Sequence, residues 1–228
     1  MSQWWTYLPA DLLMFSPETY YRLFELYNAD VWPTQVMALG AGLGIATLMV
    51  RGLHRRGRAV ATLLATVWLA VAWGYFFERY ATINLAAPYF AWGFAAQAFL
   101  IAVSGVLLGR LTFDDAKALT GKAGIALFIF ALLIQPSIGP LIGREWSGVE
   151  LFGLAPDPTV LGTLGVLLAA DRVRWELFII PILWCAITGA ILWVMKSPEA
   201  LLMPLAGLSV LILATYRSLK LRRGLVGI

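Results

Sequence analysis

Pro158-Thr159-Val160-Leu161-Gly162-Thr163-Leu164-Gly165-Val166-Leu167-Leu168-Ala169-Ala170-Asp171 places twelve uncharged residues between a proline and an aspartate. As a helix rising 1.5 Å per residue, those twelve span about 18 Å, against a bilayer hydrocarbon core of about 30 Å. Whether this stretch crosses a membrane decides how many crossings the chain makes and which side each loop faces. It reaches the required length only if Leu151 to Asp157 lies at the same depth, which sets a span over 151–170.

Working outward, five segments carry enough apolar residues to span without help: 32–50, 59–77, 86–108, 177–195 and 200–216. A sixth, 123–142, is long enough but holds Gln135-Pro136-Ser137-Ile138-Gly139-Pro140 in its second half. Pro136 removes a backbone donor and clashes one turn back, so this helix is expected to kink or stop near Gln135. Pro140 and the nearby glycines argue against its resumption. The expectation is an all-α transmembrane bundle of seven crossings with its fourth and fifth helices broken. Composition agrees, because 61% of the residues are hydrophobic and only 13% charged, where a soluble domain averages roughly 45–50% and about 25%. Mean hydropathy is +0.79. Together these figures exclude a soluble enzyme, a nucleic-acid-binding domain and a disordered chain.

The charges select an orientation. With seven crossings and the N-terminus outside, the inner segments 51–58, 109–122, 171–176 and the tail from Arg217 hold thirteen of the 17 Lys and Arg residues. Only Arg22, Arg79, Arg144 and Lys196 remain outside. If 159–170 were re-entrant, Arg217, Lys220, Arg222 and Arg223 would fall outside, against the tendency of basic loops to stay in the cytoplasm. The reading is therefore N-out and C-in. The net charge of +4 then divides into a basic inner side and an outer side holding nine carboxylates. The basic loop Arg51 to Arg58 is explained by topology and carries no sign of nucleic acid.

Before the first crossing, Ser16-Pro17-Glu18 makes a helix start, with Ser16 as cap and Pro17 at the first helical position. Tyr20, Leu23, Phe24 and Tyr27 recur at helical spacing, with Glu18, Arg22 and Glu25 on another face. An amphipathic helix is expected here, on the outer interface or as a cap packed on the bundle, and Trp32-Pro33 ends it. Residues 1–30 thus form an interfacial segment and 31–228 a single bundle. Met1 to Phe15 has no basic residue before its apolar ones, so no secretory signal is read. No internal repeat is visible, which weakens the common transporter architectures.

Candidate chemistry gathers on the outer side. Irregular backbone at membrane depth survives only when buried in protein or lining a watery cavity, so two consecutive broken helices point to a site. Asp157, followed by Pro158, is read as a helix start whose carboxylate caps backbone N–H groups, and Glu150 precedes it. Glu78 and Arg79, ending the second crossing, offer a further acid and base to pair with Arg144, Glu145 or Glu150. Gln135 and Gln97 lie deep in their helices and would continue a polar path inward. Amides at that depth face protein or water rather than lipid.

Of ten tryptophans, Trp4, Trp5, Trp32, Trp73, Trp92, Trp146, Trp193 and Trp175 read as an aromatic belt, with Trp68 and Trp184 deeper and Trp184-Cys185 in the core. The single histidine, His54, and single cysteine, Cys185, exclude multi-histidine and multi-cysteine metal centres. No cofactor, metal or enzyme motif is expected. The lysine that a seven-helix rhodopsin needs in its last helix is missing between Ala200 and Tyr216.

Several phrases resemble those of an uncharacterised family of bacterial polytopic membrane proteins, designated only as a domain of unknown function. They are Phe15 through Asn28, Trp32-Pro33-Thr34-Gln35, Ile83-Asn84-Leu85-Ala86-Ala87-Pro88-Tyr89-Phe90, and Ala155-Pro156-Asp157-Pro158-Thr159. The resemblance implies a bacterial inner-membrane location and no mechanism, so no residue role is carried over. The residues themselves favour a small channel or transporter for a small solute or ion, homo-oligomeric in the lipid bilayer, working through Asp157, Glu150, Gln135, Glu78, Arg79 and Gln97. The other reading is a non-transporting sensor, assembly factor or accessory subunit that docks through its outer N-terminal helix.

Overall fold

A computed structural model describes residues 15–51, 56–113 and 119–226, with side-chain surroundings to residue 220. Within them lie eight helices: α1 Pro17–Asp30, α2 Thr34–Val50, α3 Arg56–Thr82, α4 Ala87–Leu107, α5 Leu119–Leu141, α6 Pro156–Ala169, α7 Trp175–Val194 and α8 Leu202–Val226. No strand occurs among the described residues. Five helices, α3, α4, α5, α7 and α8, are long and apolar enough to cross a membrane. The chain is thus built as a multi-pass membrane protein. α2, with 17 residues, is too short to count alone, and it meets α1 at 93°.

The predicted amphipathic helix is α1. The Ser16 hydroxyl accepts from the Thr19 amide at 3.3 Å, and Pro17 needs no donor at the first position. Its predicted apolar stripe, Tyr20, Leu23, Phe24 and Tyr27, is buried in protein. Phe24 stacks on Tyr75 of α3 with ring centroids 5.2 Å apart, and Tyr20 meets Tyr80 edge-on. Of the two placements open to it, the cap packed on the bundle accounts for this face. Trp4 and Trp5 lie outside the described residues.

The proline-rich fourth segment corrects an expectation. α5 does not stop near Gln135 but runs on to Leu141. A π-helical turn at Phe130–Ile134 precedes Gln135, whose amide reaches back to the Phe130 carbonyl. The wider turn resets the hydrogen-bond ladder, so Pro136 falls at the start of a fresh helical segment, where its missing N–H costs little. Pro140 sits in the last turn.

The fifth segment is shorter than the predicted 151–170. α6 begins at Pro156, covers 14 residues, and therefore measures about 21 Å. All 14 are buried. Glycines explain how closely α5 approaches. A Cβ at Gly124 would lie 2.5 Å from the Ala169 nitrogen and the Gly165 oxygen; one at Gly165 would lie 2.7 Å from the Gly124 oxygen. α3 reaches the same helix through Trp68, whose Nε1 donates to the Thr163 hydroxyl at 2.8 Å, and α7 reaches it through Trp184 and Thr188. The non-helical turn before it, 152–155, is buried as well. There the Thr159 hydroxyl accepts from the Gly153 amide at 2.8 Å and donates to the Ala155 carbonyl at 2.7 Å. A central helix too short to span is thus kept from lipid by its neighbours, with its polar groups met internally.

The molecule has two ends. One gathers α1, the turn after α3, residues 142–157 and the α7–α8 connection, through Arg79–Asp30, Tyr21–Ser197 and the Asn28 amide on the carbonyls of Ser147 and Val149. The other gathers Arg58 beside Gly109, the Asp171 amide on the Thr112 carbonyl, and Arg217 on α6. Between them the surface is apolar, with Met37, Phe99, Ile179 and Ile212 exposed. Trp32, Trp73, Trp92, Trp146 and Trp193 are each about two-thirds exposed, as a lipid-interface belt requires, and Trp68 and Trp184 are buried.

Candidate functional site

The acidic end closes over the N-terminus of α6. After α5 the backbone turns at Gly143, whose φ of +95° a side chain would strain. The Arg144 amide then bonds the Gly139 carbonyl. Gly139 also makes room for the guanidinium, because a Cβ there would lie 2.9 Å from its atoms. Glu150 follows the short turn Trp146–Gly148, which Asn28 of α1 pins from above. Asp157 is the second residue of α6, and Glu199 stands on the α7–α8 connection.

These groups converge. Arg144 Nη2 lies 2.5 Å from Glu199 Oε1, and Nη1 lies 3.5 Å from Glu150 Oε1. The guanidinium sits 4.3 Å from the centre of the Tyr21 ring, whose hydroxyl donates to Ser197 at 3.0 Å. The Asp157 carboxylate accepts from Trp184 Nε1 at 2.7 Å and from the Thr188 hydroxyl at 3.0 Å. Gln135, Arg144, Glu145, Glu150, Asp157 and Glu199 line one cavity of about 20 Å³. A volume of about 10–15 Å³ on this measure holds one water, so the cavity admits a water-sized particle. Gln135 is 8% exposed, and its side-chain oxygen is buried without a hydrogen-bond partner.

Three buried or nearly buried carboxyls thus face one guanidinium. Burial, and after it the charges of Asp157 and Glu199, push the Glu150 carboxyl above the ordinary glutamate range, with Arg144 opposing. Burial likewise raises Glu199, again against Arg144. Among the described residues no three His, Cys, Asp or Glu side chains converge closely enough to hold a metal ion. What the arrangement can do is exchange a proton or accept a small polar particle next to unbalanced negative charge.

Of the residues singled out from sequence, Asp157, Glu150 and Gln135 share this cavity, and three others lie elsewhere. Glu78 is exposed, and Arg79 pairs with Asp30 at 2.6 Å rather than with residues 144–150. Both sit where α3 ends against α1, and Arg79 lines a separate groove there with Arg22 and Leu26. Gln97 donates to the Leu177 carbonyl at 2.9 Å, near the start of α7 and three helical turns from Thr188, so it does not continue the path. Asp157 does not cap backbone amides either. Ala155 is the cap residue, with no side-chain cap hydrogen bond, and the Asp157 carboxylate turns instead to Trp184 and Thr188.

Sequence reasoning missed the centre of the site. Arg144 was one of several interfacial charges, Glu199 drew no attention, and Trp184 read as core. One signal was present: Trp184 and Thr188 stand four apart on an apolar helix and so share a face. Nothing local marks Glu199.

A family model described as a family of unknown function (DUF6064) matches residues 17–224. No curated protein matches the chain, and no solved structure does.

Proposed function

The chain belongs to the DUF6064 family, a family of unknown function, and from that premise we propose that it is a small membrane channel or transporter for a small ion. One observation carries this reading: a buried, water-sized cavity at the head of the central helix, where three carboxyls meet one guanidinium. Burying charge without balancing it costs several kcal/mol unless something supplies the missing positive charge. The cavity volume favours an ion over an organic solute. Asp157, held by two neutral donors, supplies the fixed negative charge that draws the ion in.

In this reading the chain crosses the inner membrane seven times, N-terminus outside and C-terminus in the cytoplasm, so that the acidic end faces outward. α2 and the enclosed segment 151–170, in which α6 lies, complete the crossings, and copies associate through their apolar flanks. The reading as an accessory subunit docking through the N-terminal helix draws less support, since the apolar face of α1 is spent on the bundle.

The test is reconstitution into vesicles, challenged in turn with gradients of H⁺, Na⁺ and K⁺. Wild-type protein is expected to dissipate at least one gradient, and Asp157→Asn to lose that flux while keeping its elution volume and helical content. Flux at the protein-free level for all three ions, or unchanged flux in Asp157→Asn, overturns the reading.

A further inference from the structure

Resting on the ion-moving reading, we propose that the ion is the proton and that Glu150 is the group that takes it up. The three acids of the cavity that are not exposed, Glu150, Asp157 and Glu199, differ in their partners. Both oxygens of Asp157 accept hydrogen bonds, from Trp184 and Thr188, so protonating it would weaken the bond to the oxygen that takes the proton. Glu199 holds Arg144 at 2.5 Å. Glu150 is tied least, at 3.5 Å from the same guanidinium, a distance at which the ion pair persists without a hydrogen bond.

A second observation is independent of the acids. The Gln135 side-chain oxygen is a buried acceptor on the cavity wall without a partner. An acceptor left so calls for a donor, because burial has taken its water away without replacing it. A protonated Glu150 supplies an O–H in the same cavity, directly or through one water. A metal ion fits less well. The guanidinium lines the cavity and repels it, and among the described residues no three His, Cys, Asp or Glu side chains come close enough to hold one.

The step balances simply. A hydronium ion gives its proton to a Glu150 carboxylate oxygen, an O–H bond forms, and water is left. Arg144 keeps Glu199 and loses the weaker Glu150 pair; release is the reverse. The charges acting on Glu150 are those of Arg144 from its own loop, Asp157 from α6 and Glu199 from the α7–α8 connection; Glu145 lines the same cavity, and Tyr20 and Tyr21 of α1 and Tyr75 of α3 face it as uncharged phenols. The acids act to hold the proton and Arg144 to expel it. The upward displacement of the Glu150 carboxyl by burial and by its acidic neighbours runs in the same direction.

The experiment is infrared difference spectroscopy of the whole protein in lipid nanodiscs, stepping pH upward from the ordinary glutamate value of 4.5. Wild type is expected to show a protonated-carboxyl C=O band that persists above that value and shifts in heavy water. Glu150→Gln should leave the contribution of Glu199, whose carboxyl burial also raises, and remove the component of the band that persists to the highest pH. Asp157→Asn and Glu199→Gln should keep it but move its loss to lower pH, since each removes a negative neighbour. Glu150→Asp, which retains a carboxyl, should keep a displaced band and serves if the glutamine variant does not fold. A highest-pH component that survives Glu150→Gln and vanishes in Asp157→Asn overturns the assignment, as does the lack of any band above the ordinary range. The two readings fail separately. The band without flux in vesicles removes transport and leaves the proton site; Na⁺ or K⁺ flux without the band removes the proton and leaves transport.

Discussion

The two ends of α6 both bury charge, and they do so in different ways. At the C-terminal end Arg217, 6% exposed, donates to the Leu168 carbonyl at 3.0 Å, placing a cation against the negative end of the helix dipole. At the N-terminal end Asp157 sits against the positive end of that dipole, but Glu150 and Glu199 stand beside it and only Arg144 answers them. The first arrangement completes a helix terminus. The second exceeds what a helix terminus needs, and the excess negative charge around a water-sized volume separates a site from a cap.

The largest effect expected from breaking this contrast is that of Arg144→Met. It strips the cavity of the one cation that lines it among the described residues, and removing one partner from a buried pair costs about 3–5 kcal/mol. Thermal unfolding in detergent should show it, with the loss growing as pH rises and the acids ionise. Adding Glu199→Gln should recover part of it. Arg217→Met at the other end should cost less, about 1.5–3 kcal/mol, the range for a hydrogen bond to a charged group. Its cost should not grow with pH above the carboxylate range. Equal pH dependence at the two ends would erase the distinction between them.

Trp184→Phe sharpens the contrast more gently. It keeps the ring that packs between Phe76 and Phe94 but withdraws one donor from Asp157, for a loss of about 1–3 kcal/mol. The smallest effect is in the unaltered protein. A carboxyl held above its ordinary value binds a proton in the folded state that the unfolded chain has released. The stability Glu150 and Glu199 contribute is therefore complete below 4.5 and is lost as pH rises through their elevated values. A denaturation series across that range should show stability falling with pH, and Glu150→Gln should flatten it.

How much of this was legible beforehand follows from range. The apolar run predicted over 177–195 is the helix Trp175–Val194, and 86–108 is Ala87–Leu107, because length and hydropathy are properties of the segment alone. The α1 stripe was equally local, read from a spacing of three and four. The fourth segment failed for an instructive reason: Pro136 forbids an α-helical bond, and a π turn five residues earlier moves the ladder so that the bond is not required.

For the site, Asp157 and Glu150 were read from irregular backbone inside a membrane, which must be enclosed or wet, and Gln135 from the depth of its amide. Gln97, read from its depth as well, and Arg79, read as half of an acid–base pair, went to Leu177 and Asp30, since a polar side chain takes whichever partner the packing brings nearest.

What the sequence alone determined is the solvent this chain is made for, the stretches that must be helical, and the segregation of its charges. Those follow from composition and from periodicities no longer than a helical turn or a bilayer's thickness. Only the tertiary structure decided that a 14-residue helix could lie wholly enclosed, through glycines that let α5 within contact of its backbone. Only it brought together Arg144, Glu150, Asp157 and Glu199. They come from two separate stretches of chain, 144–157 and the α7–α8 connection, and the distances that make them a site arise when helices far apart in sequence pack side by side.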